Sequence, residues 1–130
     1  MYQATTDKIT VKVEPVYLEE KSAPDESHFV WAYKVTIENH GKEPVRLQSR
    51  YWKITDSHGL SHEVTGEGVV GEQPVLYPGE IYQYTSGTPL SAPGGIMFGK
   101  YYMVCSDGRK FAVDIPAFSL DSPYHNCVIH

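Results

Sequence analysis

The chain has 130 residues, room for one domain with a core of its own and too few for two ordinary ones. Eleven Lys and Arg against 16 Asp and Glu give a net charge of −5, which argues against nonspecific nucleic-acid or anionic-membrane binding, since both need a basic surface. With 41% hydrophobic residues and no stretch near the roughly 18 apolar residues of a membrane helix, the composition fits neither a disordered chain nor a helical membrane protein.

Met1-Tyr2-Gln3-Ala4-Thr5-Thr6-Asp7-Lys8 carries no secretory signal pattern, so the expected compartment is the cytoplasm. The two cysteines, Cys105 and Cys127, are then expected to be reduced, with Cys105 packing as a small hydrophobe. Ile9, Val11 and Val13 alternate with Thr10, Lys12 and Glu14, predicting a first strand that Pro15 interrupts or bends. An acidic loop at 19–27 precedes the clearest strand, in which Phe29, Trp31, Tyr33, Val35 and Ile37 fill one face. Asn39-His40-Gly41 and Asp56-Ser57-His58-Gly59 are turn signals bracketing a third strand at 45–55, and a short run at 60–65 follows. Pro74, Pro78 and Gly79 mark an irregular crossing before a strand at 80–85, and 86–95 reads as turn material. Strands at 96–104 and 110–115 are joined by Ser106-Asp107-Gly108-Arg109, a hairpin signal, and the chain after Pro116 reads as a tail.

Glycine, proline or β-branched and aromatic residues break every helical window. Seven strand candidates predict an all-β chain, an immunoglobulin/fibronectin-III-like antiparallel β-sandwich of about seven strands, with a small barrel as the competing architecture. Residues 1–130 are expected to form one domain, its core at about 4–125 and a tail beyond.

Gly66, Gly68 and Gly71 match GxGxxG, whose glycines approach pyrophosphate at the start of a helix in dinucleotide-binding folds. No helix or βαβ unit follows here, there is no GK[ST], and Glu63, Glu67 and Glu72 would repel a polyphosphate. A tight connection using glycine for positive φ is the competing reading. The same carboxylates with His62 are candidate divalent-metal ligands, but neither they nor His58, His125 and His130 have metal-site spacing, so no metal site and no cofactor is expected. Thr85-Ser86-Gly87 is not a nucleophile elbow and no Cys–His pair stands out, so no enzymatic activity is expected. Arg46, Arg50 and Lys53 form the main basic run, with Arg46 and Arg50 on one face of the third strand. Tyr82, Tyr84, Tyr101 and Tyr102 cluster on two strands, either as sheet packing or as an aromatic platform. The candidate recognition surface is therefore Arg50, Tyr82, Tyr84 and Tyr101.

Together these residues resemble the ApaG family. The resemblance runs through Arg50-Tyr51-Trp52-x-Ile54-Thr55-Asp56, Val64-x-Gly66-x-Gly68-Val69-Val70-Gly71-x-Gln73-Pro74 and Pro78-Gly79-Glu80-x-Tyr82-x-Tyr84-Thr85-Ser86-Gly87. It continues in Gly99-x-Tyr101-x-Met103 and Ile115-Pro116-x-Phe118, covering roughly residues 4–125. It implies a fibronectin-III-like sandwich in a small bacterial cytoplasmic protein associated with cobalt resistance and magnesium efflux. Similar domains in an F-box ubiquitin-ligase subunit and a partner of DNA polymerase delta imply protein–protein interaction. The expectation is thus a non-enzymatic binding module with an unidentified protein partner and a homodimer as an open option. The alternatives are pyrophosphate or nucleotide binding through Gly66, Gly68 and Gly71, or direct divalent-metal binding.

Overall fold

The structure, a computed structural model, describes residues 1–124. His125, Cys127 and His130 lie outside the described residues, and with them the expectations about the tail and the cysteine pair. The strands are β1 (Tyr2–Thr6), β2 (Ile9–Tyr17), β3 (Phe29–Asn39), β4 (Val45–Asp56), β5 (Ser61–Glu67), β6 (Val75–Leu76), β7 (Ile81–Leu90), β8 (Gly95–Cys105) and β9 (Lys110–Leu120). Two short 3-10 turns, Glu19–Lys21 and Pro24–Glu26, occupy the acidic loop. One sheet runs β1-β2-β3-β7 and the other β5-β4-β8-β9, with β6 beside β4. Every pairing is antiparallel, and the sheets stack as the expected immunoglobulin/fibronectin-III-like sandwich.

Period-2 alternation produces the core directly. Ile9, Val11 and Val13 of β2 and Phe29, Trp31, Tyr33, Val35 and Ile37 of β3 all turn inward and are buried. They meet Leu47, Trp52 and Ile54 of β4, Met97, Tyr101 and Met103 of β8, and Val113, Ile115, Phe118 and Leu120 of β9. Each such side chain contributes about 1.5–3 kcal/mol through removal of apolar surface from water. The Trp52 ring sits at the centre, edge-on to Tyr33 at 5.4 Å and to Phe118 at 6.0 Å. On one side β1 and β2 pack against β9, closing the sandwich. On the other, β5 and β7 are the terminal strands of their sheets and do not pair, so the sheets do not close into a barrel.

All seven expected strands exist, and the differences have local causes. β1 escaped notice because its hairpin to β2 turns on Asp7 and Lys8 at φ of 47° and 67°, a two-residue turn without the usual glycine. β2 continues through Pro15 because β1 covers only Ile9–Val13, which leaves Pro15 a free side where no N–H is needed. β7 does not stop at Thr85 but runs to Leu90, and the edge position tolerates Pro89. The chain after Pro116 is not a tail either. A register shift between Met97↔Phe118 and Gly99↔Ile115 gives β9 an extra residue at Pro116–Ala117, and the strand resumes with Phe118 and Leu120 fully buried.

Candidate functional site

A second irregularity builds the most distinctive polar cluster in the chain. In the β4–β8 ladder Leu47 pairs with Met103 but Ser49 pairs with Tyr102, so Gln48 is an extra residue. One extra residue reverses which face every later side chain takes. Arg46 therefore stays on the outer face while Arg50 turns inward, in row with buried Trp52 and Ile54. The expectation that Arg46 and Arg50 share a face is corrected by this bulge.

The bulge also frees the Gln48 carbonyl, which accepts hydrogen bonds from the Gly68 N–H at 2.8 Å and the Gln73 side-chain amide at 2.9 Å. The segment 66–74 is thereby folded back onto β4. Arg50 completes the attachment by donating from Nη1 to the carbonyls of Gly68 at 2.8 Å and Glu67 at 3.1 Å. A Cβ at Gly66 would stand 2.9 Å from the guanidinium, and one at Gly68 would lie 1.9 Å from the Glu72 carbonyl oxygen. Gly68 and Gly71 also hold φ of 60° and 81°, which suits glycine. The glycines of GxGxxG thus serve a tight loop and the passage of one arginine.

That loop presents little to a phosphate. The N–H groups of Gly68, Val69 and Glu72 are bonded within the protein, the last two to each other's carbonyls. It is carbonyl oxygens that face Arg50. The glutamates point elsewhere: β5 register pairs Glu63 with Lys53 and Glu67 with Ser49 on the outer face, whereas Val64 and Gly66 face inward beside Trp52 and Arg50. Glu63 accepts from Tyr51 Oη, and Glu72 from Tyr82 Oη at 3.2 Å.

Arg50, Tyr33, Trp52 and Ser86 line two adjoining depressions on the open side of the sandwich. The smaller, about 160 Å³, is completed by Val69, Val70 and Tyr84. The larger, about 270 Å³, extends over Ile54, Val64, Pro89 and Met97. Among the described residues no carboxylate lies within ion-pair distance of Arg50. Burial raises the Tyr33 pKa, and the neighbouring Ser86 and Arg50 partly offset the rise. At the rim Val70 is 57% exposed with φ of 43°, a left-handed conformation that costs a β-branched residue about 1–3 kcal/mol.

Of the expected recognition surface, Arg50 is partly buried in this groove and Tyr82 lies beside the loop. Tyr84 and Tyr101 are not surface groups. Both occupy inward positions of β7 and β8, their hydroxyls are bonded to each other, and burial pushes both phenols well above the ordinary tyrosine range. Tyr102, one residue on, is the exposed member of the cluster. Tyr33 reads from sequence only as part of a filled strand face, and Ser86 falls in the supposed turn at 86–95. The inward row Tyr82, Tyr84, Ser86, Thr88 and Leu90 holds the signal that would have found it.

Glu63, Glu67, Glu72 and His62 do not converge. The one group of potential metal ligands found among the described residues is Glu43, Cys105 and Asp107, at the far end of β8. There Arg109 donates to the Cys105 sulfur at 3.2 Å, and burial raises the thiol pKa, which favours the protonated form. No helix of the described residues is long and apolar enough to cross a membrane.

The ApaG domain model matches residues 19–105. Protein ApaG of Parvibaculum lavamentivorans is 63% identical over 130 residues, covering all of both chains. Protein ApaG of Sinorhizobium fredii is 58% identical over 123 residues, 95% of each chain. A crystal structure of the putative ApaA protein from Bordetella pertussis superposes with a TM-score of 0.86 at 46% identity, over 90% of this chain and 95% of that one. The C-terminal domain of wzt, at 8% identity and a TM-score of 0.56 over 92% of this chain and 76% of that one, shares the fold alone.

Proposed function

The chain belongs to the ApaG domain family, and from that premise we propose that it is a non-enzymatic binding module acting in the cytoplasm through contacts with a protein partner. The observation that carries this reading is the open side of the sandwich. There, two edge strands, each paired on one side only, flank a groove floored by aromatic rings and holding an arginine that has no carboxylate partner among the described residues. Edge strands left open beside such a groove are a ready template for another chain. On this reading, the cobalt-resistance and magnesium-efflux association implied by the family is indirect and exerted through the partner.

Affinity capture with the tagged native chain, compared with Val64→Glu at the groove and Tyr102→Ala on the outer face, tests the proposal. A partner retained by the native chain and by Tyr102→Ala but released by Val64→Glu is expected. Retention of the same proteins by all three chains, or of none by the native one, would remove the reading.

A further inference from the structure

We propose that the groove between β4–β5 and β7 captures the C-terminal carboxylate of an extended peptide ending in an apolar residue, with Arg50 as the anchor of the carboxylate. The inference rests on the protein-binding reading above and names the chemistry of the partner.

The charge comes first. Arg50 directs Nη1 at two carbonyls, while its Nε and Nη2 make no hydrogen bond among the described residues. A guanidinium with donors to spare, partly buried and facing no carboxylate, fits a planar acceptor with two oxygens. The hydroxyls of Tyr33 and Ser86 line the same depression as further donors. Glu63 and Glu67 project from the opposite face of β5 and do not confront an anion there.

A monoanion suits the site better than a phosphate. There is one cation, and the N–H groups of Gly68, Val69 and Glu72 that could have added donors are engaged within the loop. The adjoining depression adds an apolar wall of Ile54, Val64, Pro89 and Met97, with Thr88 beside it. At about 270 Å³ it falls below the range of about 300–1,000 Å³ usual for drug-sized ligands and is scaled to one large side chain. A carboxylate beside one apolar side chain is the chemistry of a chain end. The peptide backbone has somewhere to go as well, because β5 and β7 each pair on one side only. Val70, held left-handed at the rim, places an exposed apolar group over the carboxylate end.

The test is an NMR titration of the labelled native chain with N-acetyl-Gly-Gly-Leu as the free acid, the same peptide as its C-terminal amide, 4-methylpentanoate, and inorganic phosphate. The free acid is expected to shift the amides of 50, 64–70 and 86–88 and to bind about tenfold or more tighter than the amide. Arg50→Gln should abolish that preference. Val64→Glu, at an exposed position that leaves the Arg50 loop intact, should weaken the acid by about tenfold. Equal binding of acid and amide, phosphate binding tighter than the peptide acid, 4-methylpentanoate binding as tightly as the peptide, or a preference that survives Arg50→Gln would each overturn the proposal. A captured protein that Arg50→Gln still retains would overturn it too, while leaving the protein-binding reading standing. Acid-over-amide selectivity with no protein captured would uphold the groove's chemistry and remove the partner reading instead.

Discussion

In β9 the extra residue at Pro116–Ala117 turns Phe118 and Leu120 into the core, whereas in β4 the extra residue at Gln48 turns Arg50 there. The backbone device is the same, and the consequences diverge with the side chain that falls on the reversed face. On the closed side, the bulge lets the strand pass a proline and resume its apolar row, where the cost of irregularity is offset by burial of a phenylalanine and a leucine. On the open side, the bulge delivers a charged group to a place where a buried apolar residue would pack better. Its carbonyl and that arginine then hold the loop against β4. The first bulge serves stability, and the second shapes a surface at some expense to it.

The sharpest way to break the comparison is Phe118→Ala, which removes what the β9 bulge delivers. It should destabilise the protein by about 3–5 kcal/mol in denaturant unfolding, and a loss below about 1 kcal/mol would deny that bulge its role in the core. Gly68→Ala strikes the other bulge through its loop, because the added methyl meets the Glu72 carbonyl and φ is positive. A loss of about 2–4 kcal/mol is expected, measured the same way. Gly66→Ala should cost about 1–2 kcal/mol in the native background and almost nothing alongside Arg50→Ala, because the obstacle is the guanidinium itself. Additive losses in that double-mutant cycle would mean that Gly66 is needed for some other reason.

The smallest effect is one of pH. Tyr84 and Tyr101 have pKa values raised above the unfolded value, mainly by burial. The folded state thus holds protons that the unfolded chain releases, so the contribution is complete below about pH 10 and falls as pH rises further. Stability measured from about pH 9 to 11 should decline, and less steeply in Tyr84→Phe. An unchanged slope would place the alkaline sensitivity in other groups.

The inward rows of β2 and β3 were plain in the sequence because alternation is unbroken from Ile9 to Val13 and from Phe29 to Ile37. What escaped was every feature that interrupts alternation without announcing itself. A bulge at Gln48 leaves no compositional mark, yet it decides that Arg50 faces Trp52 and not Arg46. Pro116 read as a terminator because a lone proline does not reveal that the extra residue beside it keeps the strand going. For Tyr84 and Tyr101 composition leaves sheet packing and an exposed platform both open, and it is position that decides, Tyr101 sharing parity with buried Met103. The glycine segment drew attention for good reason, but what its glycines accommodate lies on another strand, where no spacing rule within 66–71 could point.

β5 meets solvent as an open edge whose outer row carries Glu63 and Glu67. Two copies approaching edge to edge would set like charges against like, which is how natural sheets discourage unwanted growth. The guard is selective by sign and by face. It repels another copy along the outer surface and leaves the inner groove open to a strand without that charge pattern. A charge row that disfavours growth of the sheet through its open edge would leave that edge free for a different chain.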